Sequence, residues 1–165
     1  MRDRVDELWV PSLFVRHCFI QGGVPEAKVH VVPLGVAELF SREDVDAYPL
    51  QTRKRFKFLF VGGTLPRKGF DLLLKAYRLV FSAADDVCLV VKDMGLGTFY
   101  RGQNATALIA QLRATPAAPE VEYIADELSE EQMAGLYRAC DCVVQPYRGE
   151  GFCLPVAEAM ACAGR

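Results

Sequence analysis

The chain has 165 residues, a length typical of one domain, and 52% of them are hydrophobic, which argues against long disordered or collagen-like structure. Nineteen basic and 21 acidic residues give a net charge of -2 with no basic stripe, which argues against nucleic acid as the main partner. No apolar run reaches the ~18 residues of a membrane span, and the charged N-terminus is not a secretory signal.

The first 32 residues are predicted to be the tail of a preceding domain. Ser12 is a suitable N-cap for a helix over residues 13–21, and residues 29–32 have the apolar pattern of a strand. Residues 33–55 are polar and irregular, and we interpret them as an interdomain linker.

From residue 56 onward, short apolar runs alternate with segments of helical periodicity. Strands are predicted over residues 56–61, 87–91, 121–124 and 142–145. Helices are predicted over residues 69–82, 104–114, 129–139 and 153–163. Because near-continuous apolar strands that alternate with helices pair in parallel, we expect an α/β domain over residues 56–165, with a Rossmann-like parallel sheet and helices on both faces.

The loops that follow parallel strands gather at one edge of the sheet, where such domains bind ligands. The loops predicted at this edge span residues 62–68, 93–103, 125–128 and 146–152. No strand follows the last predicted helix, so the chain is expected to be a piece of a larger protein, with a domain incomplete at its C-terminus.

Two carboxylates surround the start of the last helix. Glu150 precedes a glycine turn, Glu158 lies eight residues later, and Pro155 between them suits a first helical turn. The free amides near residues 152–154 then form an anion site that a diphosphate fits, while the carboxylates suit the hydroxyls of a sugar or ribose. The alternative is a capping Glu150 and a solvated Glu158, although the small apolar neighbours of Glu158 are unusual for a surface charge.

A second loop joins paired glycines to two cations. Gly62 and Gly63 follow an apolar strand, and Arg67 and Lys68 precede the next helix. Glycines let a backbone approach a ligand, and the cations can neutralise phosphate charge. The loop is not a Walker motif, because Gly69 follows the lysine, and an ordinary turn remains the alternative.

Together, these features resemble glycosyltransferase family 4, the group 1 glycosyltransferases of GT-B fold. The most specific part is the pair Glu150 and Glu158 with Gly-Phe-x-Leu-Pro between them, and the loop from Gly62 to Gly69 resembles the first donor-domain loop of the family. The resemblance covers essentially the whole chain. It implies that residues 1–32 end an acceptor domain and that the rest contains the donor-binding domain.

The resemblance implies retaining transfer of a sugar from a nucleotide-diphosphate donor, without a metal or other cofactor. Glu150 would touch the donor sugar near the reacting centre, and Glu158 would bind the ribose. The phosphates would meet Lys68 and the helix amides, and the base would meet the loop before residue 129. The implied donor-binding residues are Gly62, Gly63, Arg67, Lys68, Glu127, Leu128, Gly151, Phe152, Cys153, Leu154 and Glu158.

Three positions depart from the family pattern. Many members carry an arginine directly after the first glycine of this loop, where this chain has Gly63 and then Thr64. One phosphate contact is therefore missing unless Arg67 replaces it. Cys153 stands at the usual glycine, and Lys92 and Asp93 stand where Gly-x-Gly is common, with no role implied for either.

The acceptor, whether glycan, lipid or protein, is not specified by this sequence, and the isolated chain is expected to be inactive. The alternative function is a non-catalytic nucleotide-binding or scaffold module of the same fold. The six cysteines show no Cys-x-x-Cys pair and no ligand spacing to His17 or His30, which favours free thiols over metal or disulfide roles. Free thiols predict a cytoplasmic protein, with peripheral membrane association left open for the complete protein.

Overall fold

The computed structural model describes residues 4–94 and 105–163, which form two compact units, Met1–Val36 and Ala37–Arg165. In the first unit, strand β1 (Leu8–Val10) pairs in parallel with β2 (Val29–Val31), and helix α1 (Leu13–Gln21) connects them. Ser12 caps α1 as predicted, since its side chain accepts a hydrogen bond of 3.3 Å from a first-turn amide.

The second unit is built on a four-stranded parallel sheet with the strand order β5-β4-β3-β6. Its strands are β3 (Phe56–Val61), β4 (Val87–Lys92), β5 (Glu120–Ile124) and β6 (Cys142–Val143). Its helices are α2 (Phe70–Val80), α3 (Thr106–Arg113), α4 (Glu130–Arg138) and α5 (Leu154–Cys162). The predicted α/β fold with a parallel sheet is confirmed.

The sheet is buried on both faces. Helices α2 and α3 share one core with strands β3, β4 and β5, formed by Phe60, Phe70, Leu74, Tyr77, Leu89, Val91, Ile109, Leu112 and Val121. Leu59, Val61 and Val90 alternate with these strand residues, so they point to the other face, and they too are buried. Burial on both faces explains why the two inner strands, β3 and β4, are mostly apolar.

Some element ends differ from the predictions for local reasons. Helices α2 and α5 each begin one residue later than predicted, because Gly69 and Cys153 adopt left-handed backbone conformations with φ of 72° and 63°. Strand β6 is two residues shorter than predicted, and at its end the Gln145 side chain donates to the Val61 carbonyl at 2.7 Å in place of a ladder bond.

Residues 37–55, assigned to a linker in the sequence prediction, belong to the second unit. Phe40 and Val45 are buried, and the carboxylate of Glu122 in β5 accepts the amides of Gln51 and Thr52 at 2.9 and 2.8 Å. Two buried apolar side chains and the hydrogen bonds from two backbone amides to Glu122 thus attach this mostly polar segment to the sheet domain.

Candidate functional site

The candidate site lies at the carboxyl ends of β3 and β6, which are adjacent in the sheet. From β3 the sheet continues through β4 and β5 on one side, whereas β6 lies on the other side of β3. Strands β3 and β6 therefore flank the point where the strand order reverses. Loops diverge at such a point and leave a crevice in which open α/β sheets bind ligands. The loops over residues 62–68 and 146–152 both begin here.

The two loops touch through their backbones at Gly69. A Cβ built on this residue would stand 1.9 Å from the carbonyl oxygen of Pro146, and the φ of 72° is left-handed. Gly62 also has a positive φ, of 143°, and the aliphatic stem of Lys68 passes 4.0 Å from the place of its missing Cβ. Glycine is required at residue 69 because the loop after β6 leaves no room for a side chain.

An ion pair between Lys68 and Glu150 is at the centre of the site. The Lys68 ammonium donates to Glu150 Oε2, and Arg67 Nη1 lies 3.7 Å from the same oxygen. The side chains of Lys68 and Glu150 are only 19% and 17% exposed. The sequence assigned both residues to the site, and the structure brings them into direct contact.

Glu150 is held as an anion. The hydrogen bond from Lys68 keeps the pKa of the Glu150 carboxyl below its ordinary value, and the Gly151 amide and Arg67 act in the same direction. Glu150 Oε1 accepts the Gly151 amide at 3.1 Å. The carboxylate therefore lies against two cations and an amide, a set of groups that also suits a phosphate.

Helix α5 begins beside Glu150 with unpaired amides. In the described part of the chain, the backbone amides of Phe152, Cys153 and Leu154 donate to no protein group. The left-handed backbone at Cys153 turns the chain into the helix, and Pro155 occupies its first turn. Gly151 differs from its neighbours, because its amide is already bonded to Glu150.

Glu158 is half-buried on α5 and accepts a hydrogen bond of 2.7 Å from the Tyr137 hydroxyl of α4. Burial, together with this carboxylate, raises the pKa of Tyr137, so the phenol stays a neutral donor. Glu158 is therefore bonded to α4 and is not a fully solvated helical glutamate.

The remaining predicted residues are spread along the same sheet edge. Glu127 is exposed and Leu128 half-buried after β5, and no hydrogen bond or ion pair joins either to Lys68 or Glu150 within the described ranges. Gly63 is half-buried in the first loop. Residues 95–103 of the predicted third loop lie outside the described residues.

The sequence assigned no role to a buried polar cluster beside the site. Asp93 is 1% exposed and accepts hydrogen bonds from Thr64 at 3.1 Å and from Tyr123 at 2.8 Å. Lys92 is also buried, its ammonium donates to the Asp93 carbonyl at 3.1 Å, and burial lowers its pKa. Thr64 is therefore a structural partner of Asp93. The sequence signal that could have predicted this cluster is a polar residue just after each of two neighbouring strands, Thr64 after β3 and Asp93 after β4.

Arg148 was also missed. Its guanidinium makes two bonds of 2.8 Å to Asp71 and a third to the Pro66 carbonyl, and its amide donates to the Arg67 carbonyl at 2.9 Å. Arg67 in turn donates to the Gly149 carbonyl at 2.8 Å. The two arginines thus connect the two loops in both directions.

The six cysteines are free thiols. Burial raises the pKa of Cys88 to about 11 and of Cys140 to about 12, which makes both poor nucleophiles. Across residues 4–94 and 105–163, no group of three His, Cys, Asp or Glu side chains is placed to hold a metal ion. In the same ranges, every helix is too short or too polar to cross a bilayer.

The chain is also similar to known glycosyltransferases. Lipopolysaccharide 1,2-N-acetylglucosaminetransferase of Salmonella typhimurium is 30% identical over 167 residues, which cover 96% of this chain and 42% of that protein. D-inositol 3-phosphate glycosyltransferase of Segniliparus rotundus is 36% identical over 109 residues, 62% of this chain and 22% of its own length. The chain therefore spans less than half the length of these relatives.

Among solved structures, Anabaena HepE in complex with UDP-glucose superposes with a TM-score of 0.74 at 18% identity, over 98% of this chain and 44% of HepE. HepE in complex with UDP superposes with a TM-score of 0.71 at 19% identity. These likenesses show a shared fold. The sequence profile described as "Glycosyl transferases group 1" matches residues 41–164, which include the whole candidate site. The chain belongs to the group 1 glycosyltransferases.

Proposed function

We propose that this chain provides the donor site of a retaining glycosyltransferase of family 4, which moves a sugar from a nucleotide diphosphate to an acceptor. The observation that carries the proposal is the meeting of Lys68 and Glu150 beside the unpaired amides at the start of α5. Cations and free amides at a strand-order reversal favour a diphosphate, and the adjacent carboxylate favours sugar hydroxyls.

In the proposed complex, the amides of Phe152, Cys153 and Leu154 and the ammonium of Lys68 hold the diphosphate. Their electrostatic task is to stabilise the charge that develops on the departing diphosphate as the glycosidic bond breaks. Arg67 lies at the same oxygen of Glu150 and adds positive charge. Gly62 and Gly63 keep the first loop free of side chains on the approach to the phosphates.

Glu150 then accepts hydrogen bonds from donor-sugar hydroxyls near the reacting carbon. Glu158, eight residues later on α5, accepts from the ribose, and the loop with Glu127 and Leu128 meets the base. The half-buried position of Glu158 and its neutral Tyr137 partner support this role, because no described residue donates to its second carboxylate oxygen, which can accept from another donor.

The donor proposal needs no metal, since Lys68 and the amides supply the positive charge. The base, the sugar and the acceptor, which is a glycan, a lipid or a protein, are not specified by these residues. HepE was solved with UDP and UDP-glucose, so UDP is the first nucleotide to test. The free thiols support a reducing compartment, and we place the protein in the cytoplasm.

The test is binding of UDP, GDP and ADP by ligand-observed NMR to the protein that contains this chain. Glu158→Ala is the site variant and Glu130→Ala the control, because Glu130 is an exposed helical glutamate of α4. We expect one nucleotide to bind the parent and the control but not Glu158→Ala. If circular dichroism shows a folded parent and none of the three binds, the donor-site proposal is wrong.

A separate assay tests catalysis. We propose that the complete protein releases the nucleoside diphosphate from a matching sugar nucleotide, and that the 165-residue chain alone does not. Nucleotide binding without any turnover by the complete protein, across donors and acceptors, would favour a non-catalytic binding module. Turnover by the isolated chain would contradict its proposed dependence on the rest of the protein.

A further inference from the structure

Arg148 lies two residues before Glu150 and contacts the loop after β3 and the first turn of α2, not Glu150 itself. It makes two hydrogen bonds to Asp71, in the first turn of α2, and donates to the Pro66 carbonyl. Its own amide is also bonded to the Arg67 carbonyl at 2.9 Å. Every one of these partners belongs to the segment that surrounds Lys68.

Helix α2 is a rigid support for this connection. Phe70 and Leu74, on either side of Asp71, are 0% and 1% exposed and belong to the main core. An arginine that bonds a carboxylate with two parallel N–H groups fixes its direction as well as its distance. The loop after β6 is therefore oriented from a well-packed helix.

The chain around Glu150 has little else to fix it. A Cβ built on Gly149 or Gly151 would meet no described atom within 4 Å, so packing does not confine the backbone on either side of Glu150. The bond from Arg67 to the Gly149 carbonyl is the other cross-link in this stretch. Replacement of the Arg148 side chain would leave this stretch attached to the first loop only through Arg67, by its bond to the Gly149 carbonyl and by its carbonyl bond to the amide of residue 148, beside the Lys68–Glu150 pair itself.

We propose that Arg148 is a positioning residue: through Asp71 and Pro66 it holds the loop after β6 so that Glu150 meets Lys68. The inference about geometry stands on the contacts above, whereas its consequence for turnover rests on the proposed function of Glu150. Arg148 and Asp71 are about half exposed, so their ion pair contributes little to global stability. The effect of Arg148 is on the placement of Glu150.

The first experiment needs no substrate. Glu150 is followed by NMR of carboxyl-labelled protein in the parent, in Arg148→Gln and in the control Arg55→Gln. Arg55 pairs with Asp86 at the opposite, amino-terminal ends of β3 and β4. The groups that act on the Glu150 carboxyl are Lys68, Arg67 and the Gly151 amide.

We expect the pKa of Glu150 to rise toward its ordinary value in Arg148→Gln and to stay unchanged in Arg55→Gln. Arg148→Lys should give an intermediate result, since an ammonium cannot bond Asp71 with two parallel N–H groups and also reach Pro66. An unchanged Glu150 titration in a folded Arg148→Gln protein would overturn the proposal, whether or not any nucleotide binds.

The second experiment measures the consequence for chemistry in the complete protein, with the sugar nucleotide of the base selected above. Arg148→Gln should lower kcat for donor turnover by roughly 10- to 100-fold, the scale of a 1 Å misplacement, without weakening UDP binding. In a Glu150→Gln background the same change should alter kcat by less than about threefold, since Arg148 acts through Glu150. Equal losses in both backgrounds would refute an action through Glu150.

Discussion

Replacement of Glu150 by glutamine is expected to have opposite effects on binding and on turnover. In the free protein, the carboxylate of Glu150 lies against Lys68, near Arg67 and on the Gly151 amide. A diphosphate that binds Lys68 must take over that cation, so Glu150 competes with it. Glu150→Gln should therefore bind UDP more tightly and transfer sugar more slowly.

The magnitude follows from the contact that is lost. A hydrogen bond between charged groups contributes about 1.5–3 kcal/mol, and a neutral amide oxygen in its place contributes about 1 kcal/mol. Because the pair is mostly shielded from solvent, the difference should lie toward 1–2 kcal/mol. That free energy corresponds to a roughly 5- to 30-fold lower Kd for UDP, at 1.4 kcal/mol per factor of ten.

Isothermal titration calorimetry with UDP measures this change, and Glu130→Gln controls for the loss of one negative charge elsewhere on the surface. Inorganic pyrophosphate should show the same gain, because the competition concerns the phosphates alone. A Kd for UDP that is unchanged or higher in a folded Glu150→Gln protein would refute the reasoning. It would mean that Glu150 orients Lys68 for the diphosphate and does not compete with it.

Acidification tests the same ion pair through stability. The folded pKa of Glu150 lies below its unfolded value, so the pair stabilises the protein above the unfolded pKa of about 4.3 and this contribution is lost as the pH falls through the folded pKa. The difference in free energy of unfolding between the parent and Glu150→Gln should be full at pH 6 and shrink below about pH 4. If this difference in free energy of unfolding did not change with pH, the ion pair would not stabilise the folded protein in the way described.

Three further substitutions test the surroundings of the site. Tyr137→Phe removes the 2.7 Å bond to Glu158 and should weaken UDP binding a few-fold in calorimetry while leaving pyrophosphate binding unchanged. Cys153→Gly should raise the free energy of unfolding by roughly 0.5–1 kcal/mol in urea titrations, since glycine adopts a φ of 63° without the steric cost that the Cβ of cysteine brings; a loss would contradict this. Gly69→Ala should lower it by more than about 2 kcal/mol, because the new Cβ meets the Pro146 carbonyl at 1.9 Å; a neutral effect would show that the loop moves freely.

The sheet could be predicted because its strands carry their own signal. Residues 56–61 are predicted and observed as β3, since a parallel strand that is buried on both faces over Leu59–Val61 is mostly apolar. Residues 37–55 show the limit of this approach. Phe40 and Val45 are two apolar residues without periodicity, and only the folded sheet supplies the surface that buries them.

For the candidate site, the sequence likewise predicted the position in the fold but not the individual side-chain contacts. Lys68 and Glu150 are 82 residues apart in sequence, but both follow strands of one parallel sheet, so a shared edge was expected. The direct contact between them was not, and neither was the pair of Arg148 with Asp71 across 77 residues. Such pairs depend on strand order, which local patterns do not encode: β6 had to lie next to β3.

Cys153 has an unusual backbone conformation at the point where the loop after β6 enters α5. It is the only non-glycine residue with a positive φ in the described ranges, it is buried, and it separates Glu150 from the first turn of α5. A side chain in this conformation costs about 1 kcal/mol or more, and the surrounding structure has to impose it. The contacts of Arg148 and Glu150 fix the chain before Cys153, and Pro155 fixes the helix after it. The backbone that presents the free amides is therefore held from both sides, as the proposed diphosphate site requires.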